Sequence, residues 1–138
     1  MISLADYWMG RDASHPLDMT PQIEANAILL LELVNKVLVI ANTAGIRAPL
    51  NERGSVVRSG WRPPDINAAT PKAAKNSKHM TGQAIDIEDP TGALDRWVFA
   101  NPDVLKRIGI WCEHPSATPT WTHMQSLPPA SGNRFFYP

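Results

Sequence analysis

The longest regular pattern in the chain is a helical period that begins at Thr20-Pro21 and ends near Gly45. Threonine can cap a helix through its side-chain oxygen, and proline is tolerated at the first helical position because that backbone N–H has no intrahelical partner. Glycine is a common stop signal. Between these signals the apolar residues recur on one helical face, at Ile23, Ala27, Leu30, Leu31, Val34, Leu38 and Ala41. The pattern predicts one amphipathic helix of roughly 20 residues, against which the rest of the domain packs.

The remainder of the chain favours short elements. Residues 46–78 contain prolines and glycines at a density that excludes a second long helix. Strand patterns occur at 55–59, 83–88, 110–112 and 120–125, and short helical patterns at about 92–100 and 101–109. Residues 1–19 are expected to be irregular, and the tail from residue 128 onward to be extended. Because strands and helices do not alternate strictly, the sequence predicts an α+β fold, with residues 1–138 forming a single small domain.

Composition limits the classes of function. The chain has 138 residues, enough for one domain, and its single cysteine, Cys112, excludes an internal disulfide. Its 13 basic and 13 acidic side chains give a formal charge of zero, which argues against binding of nucleic acid and against a polybasic membrane anchor. The N-terminus lacks the basic and apolar regions of a signal peptide, and the apolar stretch 28–41 is too short for a membrane helix. We therefore expect a soluble protein without a signal peptide.

The segment that carries the most chemical information contains His79 and Asp86. A separation of seven residues on one straight strand would put the two side chains on opposite faces, so they converge only if the chain bends between them. Gly82 supplies the freedom to bend, and small Ala84, on the same face as Asp86, leaves room for a bound group. Imidazole nitrogen and carboxylate oxygen are ligands of zinc. Taken alone, such a pair is more often a surface histidine and an aspartate that flanks a turn.

Two further segments supply complementary groups. His123 shares one face of a predicted strand with Trp121 and Gln125, and it offers a third ligand, although a histidine beside a large aromatic residue is often a core residue. Arg62 follows a Ser-Gly-Trp run that ends the strand at 55–59. An arginine there can bind a carboxylate through two hydrogen bonds or stabilise a developing oxyanion, or it can be an ordinary loop residue.

In this order, the three segments resemble the M15 family of zinc metallopeptidases, which includes D-Ala-D-Ala carboxypeptidases, dipeptidases and phage endolysins. Every fixed position of the family signature Ser-x-His-x-x-Gly-x-Ala-x-Asp is matched, and so are the upstream Ser-Gly-aromatic-Arg run and the downstream Trp-x-His run. The resemblance covers about residues 55–126. The matching residues are Ser77, His79, Gly82, Ala84 and Asp86 in the signature, Ser59, Gly60, Trp61 and Arg62 upstream, and Trp121 and His123 downstream.

The resemblance implies a zinc ion held by His79, Asp86 and His123. It implies that Arg62 lies near the scissile carbonyl or the substrate carboxylate, and we expect Ser77 to contribute to substrate binding. It also implies a small α+β fold in which an antiparallel sheet carries the metal.

The chain departs from the family at the catalytic base. The family usually places a glutamate three residues before the last histidine, where this chain has Thr120. A threonine hydroxyl does not titrate near neutral pH and cannot serve as a general base. Related metallopeptidases use a histidine two residues before the ligand, but that position is Trp121. Glu113 is the first candidate for a replacement base and His114 the second, because both precede the loop that returns to His123.

Two functions follow from this reading. The first is a zinc-dependent peptidase that cleaves the stem peptides of bacterial peptidoglycan, encoded by a phage or prophage and either released from the host cytoplasm through a holin or carried in the virion. The second is a zinc-stabilised module that binds the cell wall or builds the virion without catalysis, and Thr120 favours it. The sequence leaves open the bond cleaved and the oligomeric state.

Overall fold

The helical part of the chain is dominated by the long helix that the sequence predicts. In the computed structural model, which describes residues 1–138, Thr20 Oγ1 accepts a hydrogen bond from the N–H of Ile23 and caps this helix. The helices are α1 Leu4–Trp8, α2 Arg11–Ser14, α3 Pro21–Thr43, α4 Pro64–Ala69, α5 Ala93–Ala100 and α6 Pro102–Ile108. None of them combines the length and the apolar character that crossing a bilayer requires.

The N-terminal segment differs from the expectation of irregular structure, which was wrong. The Ser3 hydroxyl accepts a hydrogen bond from the N–H of Asp6, and the Asp6 carboxylate accepts one from the N–H of Ser3. This reciprocal capping box satisfies two backbone donors at the start of α1 and allows so short a helix to form. The short helix α4 was also missed; Pro64 occupies its first turn, where proline is tolerated.

The sheet has five strands in the order β1-β2-β4-β3-β5. Their bounds are β1 Val57–Ser59, β2 Ala84–Glu88, β3 Trp111–Glu113, β4 Trp121–Gln125 and β5 Phe135–Phe136. The first four strands pair antiparallel, as the family resemblance implies, but β5 pairs parallel to β3, so the sheet is mixed. The reason is that β4 ends beside the start of β3, with Gln125 opposite Trp111, and the tail therefore enters the sheet in the same direction as β3.

The two faces of the sheet have different roles. Ile85 and Ile87 of β2 and Met124 of β4 are buried in the hydrophobic core together with the apolar face of α3. Because side chains alternate along a strand, the residues between them, including Asp86 and His123, project from the opposite face. The core therefore determines which polar residues share that face.

The bend before β2 is packed against the long helix. Gly82 has a φ of 75°, in the left-handed region that favours glycine, and a Cβ atom at this position would lie 2.6 Å from the carbonyl oxygen of Ile23 in α3. The bend therefore has both a conformational and a steric requirement for glycine, and it sets the relative positions of His79 and Asp86.

We expect Gly82→Ala to lower the free energy of unfolding by about 2–4 kcal/mol, because overpacking against α3 adds about 1–3 kcal/mol to the roughly 1 kcal/mol cost of the left-handed backbone. Gly132→Ala is the matched control, since Gly132 has a φ of 73° but nothing within 4 Å of its Cβ position. The control should cost only about 1 kcal/mol. Urea unfolding measures both, and equal losses would show that contact with α3 does not constrain the bend.

Candidate metal centre

A row of residues runs across the polar face of the sheet, one from each strand. Asp86 of β2 lies directly opposite His123 of β4, and Ser59 of β1 lies opposite Asp86 on its other side. The Glu113 carboxylate of β3 approaches the His123 ring, with Oε1 3.9 Å from Nδ1. Phe136 of β5 pairs with Glu113, and its ring lies edge-on to His123. The register of the sheet therefore places one carboxylate on each side of His123.

His79 reaches this row from the turn that precedes β2. Its Nδ1 donates a hydrogen bond of 2.8 Å to the carbonyl oxygen of Gly60, which can only accept. The proton on Nδ1 leaves the lone pair on Nε2, and Nε2 lies 3.4 Å from Asp86 Oδ2. The Gly60 carbonyl thus holds the ring in the tautomer that a metal ligand needs.

His123 is oriented by a second chain of hydrogen bonds. Gln125 Nε2 donates to the carbonyl oxygen of Leu127 over 2.7 Å, so Gln125 Oε1 faces the histidine. His123 Nε2 donates to that oxygen over 3.1 Å, and Nδ1 then faces Asp86 Oδ1 at 2.9 Å. Gln125 was seen in the sequence only as a neighbour on the same strand face, and its contact with His123 was not predicted.

The three side chains form a group that can hold a metal ion. One nitrogen each from His79 and His123 and one oxygen from Asp86 all lie within 4.8 Å of one another. Tetrahedral zinc with bonds of about 2.0–2.1 Å sets its ligand atoms roughly 3.3 Å apart. In this structure Asp86 Oδ2 lies 3.4 Å from His79 Nε2, and the other carboxylate oxygen, Oδ1, lies 2.9 Å from His123 Nδ1. Two imidazoles and one carboxylate, with both outer nitrogens already hydrogen-bonded, fit such an ion.

Burial and neighbouring charges shift the proton affinities of the group. Burial by itself raises the pKa of Asp86, but the adjacent His79 and His123 lower that pKa well below its ordinary value. Burial lowers the pKa of His79, which favours the neutral ring. Burial also raises the pKa of Glu113. His123 lowers this pKa, and the negative charge of Asp86 raises it, so the net shift is upward. Burial by itself lowers the pKa of His123, but its hydrogen bond with Asp86 raises that pKa above its ordinary value. The ionised aspartate thus favours a cation among the inner atoms of the group.

Of the candidate bases, Glu113 alone reaches the metal group. His114 points away from it: its ring stacks on Tyr137 at 4.8 Å, and its Nδ1 lies 2.7 Å from the hydroxyl of Ser116. Thr120, at the family's usual glutamate position, accepts a hydrogen bond of 3.2 Å from Arg58 Nη1.

Arg62 is buried next to the metal group. Its backbone N–H donates to the carbonyl oxygen of His79, and its Nη2 donates to Ser77 Oγ over 3.4 Å. Ser77 Oγ also accepts the backbone N–H of His79 at 3.3 Å, so this serine links the arginine to the ligand. Only 8% of Arg62 is exposed, and its Nε has no hydrogen-bond partner. The Arg62 Nε–H is thus a buried donor whose hydrogen-bonding capacity is unused in this structure.

No family model matches the chain, and neither a curated protein nor a solved structure matches it. The resemblance to the M15 family therefore rests on the residues of the three segments, and the structure adds a His-Asp-His group that can hold a metal ion.

We expect the purified protein to contain one zinc ion per chain and His79→Ala to lose it. Gln125→Leu should retain the fold but bind the ion about 10–100-fold more weakly, because the partner of His123 Nε2 is removed. Elemental analysis without added metal and a chelator competition titration measure these quantities.

His15→Ala is the control for this experiment, since His15 pairs with Asp65 outside the metal group. It should leave the zinc content unchanged. A fully folded wild-type protein that contains no zinc would contradict the assignment.

Proposed function

We propose that this protein is a zinc-dependent peptidase that cleaves stem-peptide bonds of bacterial peptidoglycan. The observation that carries the proposal is the Glu113 carboxylate 3.9 Å from His123 Nδ1, beside a group of three metal ligands. A structural zinc site is closed by four protein ligands, whereas a catalytic one has three and leaves a position for water. Three ligands with a free carboxylate beside them match the catalytic type.

The donor set favours zinc among the common metal ions. Magnesium and calcium prefer sites built entirely from oxygen ligands, whereas two of the three donors here are imidazole nitrogens. When bound, zinc supplies Lewis-acid activation of a water molecule and of the scissile carbonyl.

Glu113 has the position of a general base. Its Oε1 can accept the proton of the attacking water and return it to the leaving amine, and its distance to the metal group is close enough for a hydrogen bond to a water between them. Glu113 comes from β3, and the family's usual glutamate comes from the start of the strand that carries the last histidine. The proton transfer depends on position in space, so either strand can supply the carboxylate.

Arg62 has the position of an electrostatic stabiliser. Its Nε–H and the rest of its guanidinium can donate to the oxyanion that develops at the scissile carbonyl or to a substrate carboxylate. Ser77 contributes to substrate binding indirectly, because its hydroxyl holds the Arg62 guanidinium in place.

The match to the family signature supports the peptidoglycan stem peptide as substrate. The same resemblance supports a phage or prophage origin, with release from the host cytoplasm through a holin or incorporation into the virion.

A second function is favoured by one observation. The residue at the usual glutamate position, Thr120, is engaged by Arg58 and cannot move a proton. If Glu113 does not act as a base, the zinc stabilises a module that binds the cell wall or builds the virion without cutting it.

We expect Glu113→Gln to lower turnover of a synthetic stem peptide by about 10²–10⁴-fold while zinc stays bound, the usual contribution of a positioned base. Thr120→Glu should add little, because a base is already present and Arg58 would pair with the new carboxylate. Steady-state kinetics with zinc content measured in each variant tests both.

The non-catalytic function predicts the opposite response. Glu113→Gln would then change nothing, and Thr120→Glu would create activity. If both variants behaved like an active wild type, the base would be another residue and the role of Glu113 would be refuted.

We expect Arg62→Lys to retain the zinc ion and the fold but to lower kcat/KM or peptide affinity at least about 10-fold, because lysine cannot reproduce the planar fork of arginine. Arg107→Lys, on the exposed surface of α6, is the control and should behave like wild type. Equal activity and equal peptide binding in all three proteins would make Arg62 an ordinary loop residue.

A further inference from the structure

Two arginine–tryptophan stacks flank the metal centre on the same face of the sheet. The guanidinium carbon of Arg58 lies 4.9 Å from the ring centroid of Trp121, and that of Arg134 lies 4.3 Å from the ring centroid of Trp111. Neither pair belongs to the metal group or to the catalytic arrangement. A guanidinium stacked on an indole is held in one plane while its edge N–H groups stay free to donate.

The register of the sheet places the stacks on opposite sides of the centre. Trp121 lies two residues before His123 on β4, and Trp111 lies opposite Gln125, two residues after His123. All three positions have the same parity along the strands, so their side chains share the polar face. Along the strand direction, four residue steps at about 3.4 Å each separate the levels of Trp121 and Trp111 by about 13 Å, and His123 lies at the level midway between them.

Both arginines keep donors for a ligand. Arg58 has a side chain 43% exposed, donates to Thr120 and lies 3.9 Å from Glu88, a distance and exposure at which an ion pair contributes little. Arg134 uses Nη1 to donate to the carbonyl oxygen of Ile110 over 2.9 Å and forms no ion pair. The polar face thus presents two cationic groups, one on each side of His123 along the strand direction.

From this spacing we infer that Arg58 and Arg134 bind two carboxylates of one extended peptide whose scissile bond lies over the metal centre. The inference rests on the proposed peptidase function and specifies its substrate. An extended peptide rises about 3.3–3.6 Å per residue, so 13 Å corresponds to about four residues. A stem peptide with a γ-linked D-glutamate has a free α-carboxylate at that residue and another at its C-terminus, about this far apart. The protein therefore selects stem peptides in which both groups are free acids over peptides in which they are amidated.

The test uses the peptide L-Ala-γ-D-Glu-L-Lys-D-Ala-D-Ala and its forms amidated at the D-glutamate carboxylate, at the C-terminus, or at both. Binding to the zinc-loaded protein in the Glu113→Gln background is measured by calorimetry, and KM and kcat are measured with the otherwise wild-type chain. Arg58→Gln and Arg134→Gln are compared with Arg107→Gln, a matched exposed arginine outside the sheet.

Arg58→Gln and Arg134→Gln should each weaken binding of the free-acid peptide about 10-fold or more and raise KM more than they lower kcat. In each variant, amidation of one particular carboxylate should no longer weaken binding, because the arginine that bound it is absent. The carboxylate concerned should differ between the two variants, which a purely structural role of the arginines would not produce. Amidation of the peptide should by itself weaken binding to the protein that keeps both arginines. This comparison tests the inference even if an arginine variant does not fold.

Wild-type affinity in both arginine variants, or equal binding of free-acid and doubly amidated peptides, would overturn the inference while leaving the peptidase proposal standing. A chain with both arginines that neither binds nor cleaves any of the peptides would refute the proposed function, and the inference with it.

Discussion

Asp86 and His123 lie directly opposite each other on neighbouring antiparallel strands, and the rest of the centre is arranged around this pair. The pairing is maintained from the other face of the sheet, where Ile85 and Met124 are fully buried in the core. A slip of one residue would exchange the two faces and move Asp86 into the core, at a large cost in burial of apolar side chains and exposure of the carboxylate. Packing of the core thus enforces the geometry of the polar face.

If the buried polar group holds a metal ion, folding and metal binding are interdependent. Burying a carboxylate between two imidazoles is costly unless each polar atom has a partner. The outer nitrogens of both rings are satisfied by Gly60 and Gln125, and the inner atoms face one another within 4.8 Å. A divalent ion at their centre would offset the cost of burial, so removal of metal should loosen the same strands that hold the ligands.

The proposed base, Glu113, does not stand at the chain position where the M15 family usually has its glutamate. Thr120 occupies the family's usual glutamate position, but it bonds to Arg58, which in turn stacks on Trp121. Glu113, ten residues before His123 in the printed sequence, approaches it from the adjacent strand. The position of the family's glutamate thus holds a threonine bonded to a stacked arginine, and a carboxylate lies at a neighbouring position of the sheet.

Local patterns in the sequence were enough to predict α3 and the strands β2 and β4, because each depends on periodicity. The grouping of His79, Asp86 and His123 was implied by the resemblance of three short motifs to the M15 family, and the structure brings the three side chains together. The approach of Glu113 to His123 depends on strand register, and the sequence left it as one of two alternatives. The hydrogen bonds that His79 donates to Gly60 and His123 donates to Gln125, the parallel pairing of β5 and the two arginine stacks were decided only in the tertiary structure. They join segments far apart in the chain, and such contacts depend on how strands and loops pack, which no local period encodes.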